Sequence, residues 1–174
     1  MLAARVVKIV MVASLAVFAF IVTFDNVTDY GANFAFVRHV LSMDTVFPDN
    51  PLAYRAITEP ALWHLAYAAI ILGEGLTCAA FTVAAAELAR NLRSDAARFN
   101  RSKRFVFVGA GLGFLVWFFG FMIVAGEWFA MWQSKDWNGQ QPAFRFYVTL
   151  LGVLIFVNQE DTELDGPRGR NEST

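Results

Sequence analysis

Long apolar runs separated by short charged blocks set the plan of this chain. A helix crosses a bilayer with about 20 apolar residues, and about 17–25 suffice. Val6 to Phe24 meets that with only Lys8 inside it, Ala61 to Ala86 with His64 and Glu74 inside, and Phe105 to Gly126 with no charge at all. Ala143 to Val157 is shorter and carries Arg145 near its start; snorkelling or local thinning of the bilayer accommodates such a span. The pattern predicts an all-α membrane protein, a four-transmembrane-helix bundle with helices over about 6–24, 61–86, 105–126 and 143–157. Residues 1–157 then form one transmembrane domain. Residues 158–174, acidic and Gly/Pro-containing, read as a disordered tail.

The segments between spans 1 and 2 and between spans 3 and 4 carry local order of their own. From Ala32 to Met43, Phe36, Val37, Val40, Leu41 and Met43 recur at helical spacing, predicting a short amphipathic helix along the membrane surface. Asn50-Pro51 has the form of an N-cap and first-turn proline, predicting a second short helix through Ile57, and Glu59-Pro60 starts span 2 in the same way. Asp25, Asn26, Thr28 and Asp29 read as caps and turns at the exit of span 1. In the 127–142 segment, Trp128, Trp132 and Trp137 stand among Gln133, Ser134, Asn138 and Gln140. Two readings stay open there: an aromatic belt at headgroup level, or a packed lid over a pocket formed with the 25–60 segment.

Composition agrees with a chain whose solvent is mostly lipid. Hydrophobic residues make up 57%, aromatic 16% and charged 17%, against about 45–50% apolar and 25% charged in soluble domains. A formal net charge of −1 and one cysteine exclude a basic nucleic-acid binder and an internal disulfide. The charges are strongly segregated. Ten of the fourteen Lys and Arg residues fall on one side of a four-span arrangement: Arg5, Lys8, the 87–104 loop with Arg90 to Arg104, and Arg168 and Arg170. Arg38, Arg55, Lys135 and Arg145 fall on the other. By the positive-inside bias, both termini and the 87–104 loop are expected in the cytoplasm. Val22, Thr23 and Phe24 make a poor cleavage site, so span 1 reads as an anchor rather than a removed signal peptide.

Ionisable residues inside spans are functional candidates by default. Glu74 is expected at or slightly past the midplane, about 18 Å below the outer end of span 2. His64, Tyr67, Glu74 and Cys78 share one helical stripe, with Ser14, Trp117 and Thr149 expected level with Glu74. Arg38, His39, Asp44, Arg55 and Glu127 complete an outer cluster with the tryptophan segment, Glu127 being expected to pair with Arg38, Arg55 or Arg145. No cofactor is expected; the alternative is a haem held by His39 and His64, or a metal ion joined by Met43, Asp44 or Glu127. Gly109, Gly113 and Gly120 offer one face for close helix packing, within the chain or in a homo-oligomer.

Thr28-Asp29-Tyr30, the stretch Phe36 to Thr45, Tyr54 to Thr58, and Gly126 to Ser134 through Trp137-Asn138-Gly139-Gln140 resemble a family of bacterial predicted small integral membrane proteins known as a domain of unknown function. The resemblance covers essentially residues 1–160 and implies a bacterial inner-membrane protein. It implies no activity, substrate or catalytic residue. With no nucleophile–base arrangement visible, the sequence favours a non-enzymatic accessory protein binding a membrane partner or lipid through its Trp-rich outer layer. The alternatives are a small transporter or channel built on Glu74 and a haem- or quinone-associated redox subunit.

Overall fold

The computed structural model describes residues 2–164, which are mostly helical and contain no strand. Among them, four helices are long and apolar enough to cross a membrane. These are α1 (Leu2–Thr28), α3 (Pro60–Arg90), the continuous rod from α4 (Ala96–Arg101) through α5 (Arg104–Gly113) to Trp128, and α6 (Gln140–Asn158). A shorter helix, α2 (Tyr30–Ser42), precedes α3. All four spans run past the ends their apolar runs mark, because polar residues at a span end extend the helix into the interface.

α1 packs along α3, α3 along α5, and α6 against the second half of the third span. The interface of α1 is a ladder of small or branched residues, Val12, Ala16 and Ala19, facing Phe81, Ala84 and Leu88 of α3. Val106 and Ala110 of α5 and Leu150, Val153 and Val157 of α6 close the core. The outward faces remain apolar: Val10, Phe20, Leu65, Leu72, Leu115 and Ile155 are each more than half exposed. A water-soluble monomer rarely shows so continuous an apolar surface, whereas in lipid it needs no cover. Hydroxyls within the spans turn back on their own helices, Ser14 to Val10, Thr23 to Ala19, Thr77 to Gly73 and Thr149 to Arg145, all onto carbonyl oxygens.

The third span changes its winding partway. Phe114–Trp128 is a π-helix, and its last bond runs from the Phe129 N–H to the Val124 carbonyl, 3.0 Å and five residues back. Before the change, Gly109 and Gly113 sit against neighbouring helices. A Cβ on Gly109 would stand 2.8 Å from the Phe81 ring, and one on Gly113 would stand 2.5 Å from Leu150. Gly120 is not part of that face, since a Cβ there meets only its own helix, at 3.5 Å. The wider π turn does not return residue 120 to the side that α-helical spacing predicts.

Two other expectations are corrected. Over Asn50 to Ile57 there is no α-helix but one 3₁₀ turn, Ala53–Arg55. The Asn50 carboxamide oxygen is taken by the Leu52 N–H at 2.9 Å, and the Ile57 N–H reaches across to the Leu41 carbonyl at 2.8 Å. The first is the expected capping bond, but the second takes the Ile57 N–H away from any partner within its own turn. Residues 159–164 also differ from the disordered tail expected from residue 158. Gln159 and Asp161 fold back under the basic end of the bundle, where the Asp161 carboxylate lies 2.6 Å from both the Lys8 and Lys103 ammonium groups. Residues 165–174, with the rest of that expected tail, lie outside the described residues.

Candidate functional site

The site forms where α1 ends. The helical spacing that places Val12, Ala16, Ala19 and Thr23 against α3 carries on to Asn26. Because α1 continues to Thr28, Asn26 is helical and inward rather than a capping residue. Its side-chain amide donates to the Glu74 carboxylate at 2.7 Å. Its backbone and side-chain oxygens accept from the Tyr67 hydroxyl at 2.9 and 3.1 Å. Glu74 and Tyr67 are almost completely buried, with exposures of 2% and 1%.

This arrangement sets the level of Glu74 against α1. Its partner is two residues from the end of α1, so the carboxylate stands level with the end of that helix. The fourteen residues of α3 before Glu74, about 21 Å of helix, run on past the end of α1 beside α2. There His64 stacks against Phe34, centroids 4.2 Å apart, and its Nδ1 shares a 2.8 Å hydrogen bond with the Tyr30 hydroxyl. Ser14 and Thr149 are not level with Glu74. They line a separate hollow between α1 and α6, walled from Glu74 by Trp117 and Phe146. Cys78 is half-buried beside Thr82 and takes no part in the site.

Glu74, Tyr67 and Asn26 form the polar floor of a cavity of about 260 Å³. Its walls are Ile70, Trp117, Phe121 and Phe146, and Phe36 and Gly139 roof it. Across Phe36, Val37, Ile70 and Phe121 lies a second cavity of about 250 Å³, lined by apolar residues alone. Toward the basic end the buried face of α3, among the described residues, offers no polar continuation before Asn91. After Thr77, whose hydroxyl is bound to the Gly73 carbonyl, α3 presents Phe81, Ala84 and Leu88, all at 0–1% exposure.

The roof is an ordered layer. The Gln133 side-chain oxygen accepts from the Phe47 N–H at 3.1 Å and from the Asn50 amide at 2.9 Å. The Ser134 hydroxyl accepts from Thr45 at 2.8 Å and from the Trp137 N–H at 3.0 Å. Asn138 accepts from the Gln140 N–H at 3.0 Å, turning the chain into α6. Trp137 lies flat on His39 at 4.4 Å, and His39 also shares a 2.9 Å bond with Asp44. Trp128 and Trp132 stay half exposed, Trp128 carrying the Arg55 guanidinium 4.3 Å above its ring. The tryptophans therefore divide, one into the packed layer and two onto its surface. Glu127 is exposed and pairs with none of Arg38, Arg55 or Arg145 among the described residues; Arg55 instead bonds the Trp128 carbonyl at 3.2 Å. His39 and His64 belong to separate clusters, and no three His, Cys, Asp or Glu side chains among the described residues gather as a metal site would need.

Replacing Gln133 with alanine removes one of the two side-chain acceptors, with Ser134, that join the two halves of the layer. The expected result is local opening favoured by about 1–2 kcal/mol, read as faster amide exchange at Phe47 while the bundle's unfolding midpoint barely moves. An unchanged Phe47 exchange rate would show that the bridge has no role in holding the roof.

The fold and site together define a helical integral membrane protein with a roofed, polar-floored cavity at its aromatic end. The chain belongs to the family described as predicted small integral membrane protein, DUF2165, which it matches over residues 4–160. Neither the curated proteins nor the solved structures include a significant match to it.

Sequence reasoning singled out Glu74 and Tyr67 but not Asn26, Phe36, Phe121 or Phe146. A signal for Asn26 was present in the spacing of Ala19, Thr23 and Asn26. It was masked by the cap-forming character of Asp25, Asn26 and Thr28.

Proposed function

We propose that this protein is a non-enzymatic binding protein of the bacterial inner membrane that holds a lipid-like amphiphile beneath its Trp-rich layer. The positive-inside bias of Arg5, Lys8 and the 87–104 loop supports a cytoplasmic basic end, with the cavity toward the opposite side. The observation that carries the reading is the adjacency of two unlike cavities. One has a carboxylate, an amide and a phenol at its floor, and the other is wholly apolar. A few convergent polar groups in a mostly apolar hollow are the usual form of a small-molecule site. A polar head in the first and a chain in the second satisfy both. Packing of α3 below Thr77 favours retention of a ligand over its passage through the bundle.

Photolabelling of the wild-type protein in vesicles tests this. Diazirine-bearing decyl probes, offered with amine and with hydroxyl heads, should mark Phe36, Val37 and Phe121 ahead of Phe20, Leu65 and Ile155 on the lipid-facing surface. Labelling by both probes in simple proportion to lipid exposure would overturn the proposal.

A further inference from the structure

The polar floor selects its ligand by hydrogen-bond sign. We infer that the cavity takes an ammonium head carried on an apolar chain, with the Glu74 carboxylate as its counter-charge; this deepens the amphiphile reading and rests on it. Beside Glu74 the polar groups are largely engaged with one another, while Asn33, which also lines the cavity, presents a carboxamide that can donate or accept. The Tyr67 hydroxyl proton is spent on Asn26, and the Asn26 amide is engaged by one oxygen of Glu74. The other Glu74 oxygen has no hydrogen-bond partner among the described residues, although the residue is only 2% exposed and lines the cavity. No Lys, Arg or His among the described residues lies within ion-pair distance of Glu74. A buried carboxyl without a cation either takes up a proton or gains from a ligand that brings the charge. The walls suit the same ligand, because the Trp117, Phe121 and Phe146 rings at the cavity surface favour a cation by their quadrupoles. A phosphate or carboxylate ligand would meet the Glu74 acid instead, with only the neutral amides of Asn26 and Asn33 as donors.

An ammonium head can come from a soluble alkylamine or from an aminophospholipid, and the test separates them. Purified full-length protein is titrated with decylammonium and with decanol, followed by its Trp fluorescence. In parallel, it is reconstituted in vesicles of phosphatidylethanolamine or phosphatidylglycerol before titration. The wild type should bind decylammonium on the order of tenfold more tightly than decanol, a difference of about 1.4 kcal/mol. Glu74→Gln, which keeps the size and an acceptor for Asn26, should abolish that preference. With the membrane concentration of the probe measured in each lipid, to remove the attraction of the anionic phosphatidylglycerol surface, weaker decylammonium binding in phosphatidylethanolamine would identify the lipid headgroup as a competitor. Equal affinity in the two would assign the site to a soluble amine. Equal binding of decylammonium and decanol by the wild type, or an unchanged preference in Glu74→Gln, overturns the ammonium assignment and leaves the amphiphile reading standing. Binding of neither probe overturns both.

Discussion

Replacing Asp161 with alanine should destabilise the folded protein by about 3–5 kcal/mol, the range for breaking a buried ion pair from one side. The carboxylate is the one acid among the described residues in ion contact with Lys8 and Lys103, both at 2.6 Å, and the three side chains are 3–6% exposed. The same pocket buries Arg5, which bonds the carbonyls of Leu92, Ser94 and Thr162. Gln159 adds its carbonyl to both lysines at 2.7 Å, and Asn100 holds the Asp161 backbone from both sides. Without Asp161, three buried cations share only carbonyl and amide dipoles. Thermal unfolding in detergent should show a lowered midpoint, less so for Asp161→Asn, which keeps the hydrogen-bond acceptor. A midpoint within a degree or two of wild type for the alanine variant would mean the fold does not depend on this latch.

The same group gives a pH signature. Burial pushes the Asp161 carboxyl up, but the Lys103 and Lys8 ammonium groups more than offset this and hold it below the ordinary carboxylate range. The folded state therefore binds this proton less readily than the unfolded state does. Its contribution is complete above the unfolded carboxyl value of about 3.9 and is lost as pH falls through the depressed folded value. Wild type should lose stability below about pH 4 more steeply than Asp161→Asn. Parallel acid limbs for the two proteins would assign acid sensitivity to other groups.

The second large effect concerns the crossing of α3 and α5. Gly109→Ala places a methyl group 2.8–3.0 Å from three atoms of the Phe81 ring, which is itself 1% exposed and packed on all sides. Overpacking of this kind costs about 1–3 kcal/mol. Gly111→Ala, two residues along, meets nothing within 4 Å. There alanine should be neutral or raise stability by up to about 1 kcal/mol through helix propensity. Measuring both midpoints in one detergent separates packing from propensity; equal shifts would remove the close approach as the explanation.

The spans were legible in the sequence because a bilayer imposes a length and an apolar composition that few other environments demand. The helix over Tyr30–Ser42 was legible for a similar reason: Val37, Val40 and Leu41 repeat at helical spacing, and all three are buried. Glu74 stood out because an acid inside an apolar run is rare. Its neighbours on the other helices were not legible, because counting along α3 assumes that every helix starts at the same level, whereas Glu74 meets Asn26 near the end of α1. Asn26 was hidden by its own chemistry, since asparagine after an apolar run signals a helix end as readily as a continuation. The π winding of Phe114–Trp128 has no counterpart in hydrophobic periodicity, and it carries Gly120 off the Gly109–Gly113 face.

The sequence by itself determined that this is a four-span helical membrane protein, which end is basic, and which end gathers the tryptophans. Those properties are sums over local composition, and each residue contributes whatever its neighbours in space are. Only the tertiary structure decided that Asn26 meets Glu74 and that Gln133 ties the 43–57 segment to the tryptophan layer. It also decided that Asp161 returns to Lys8, more than 150 residues away. Such pairings depend on relative helix height and on loop paths. These follow from how side chains interlock across helices and are not written in the period of any single one.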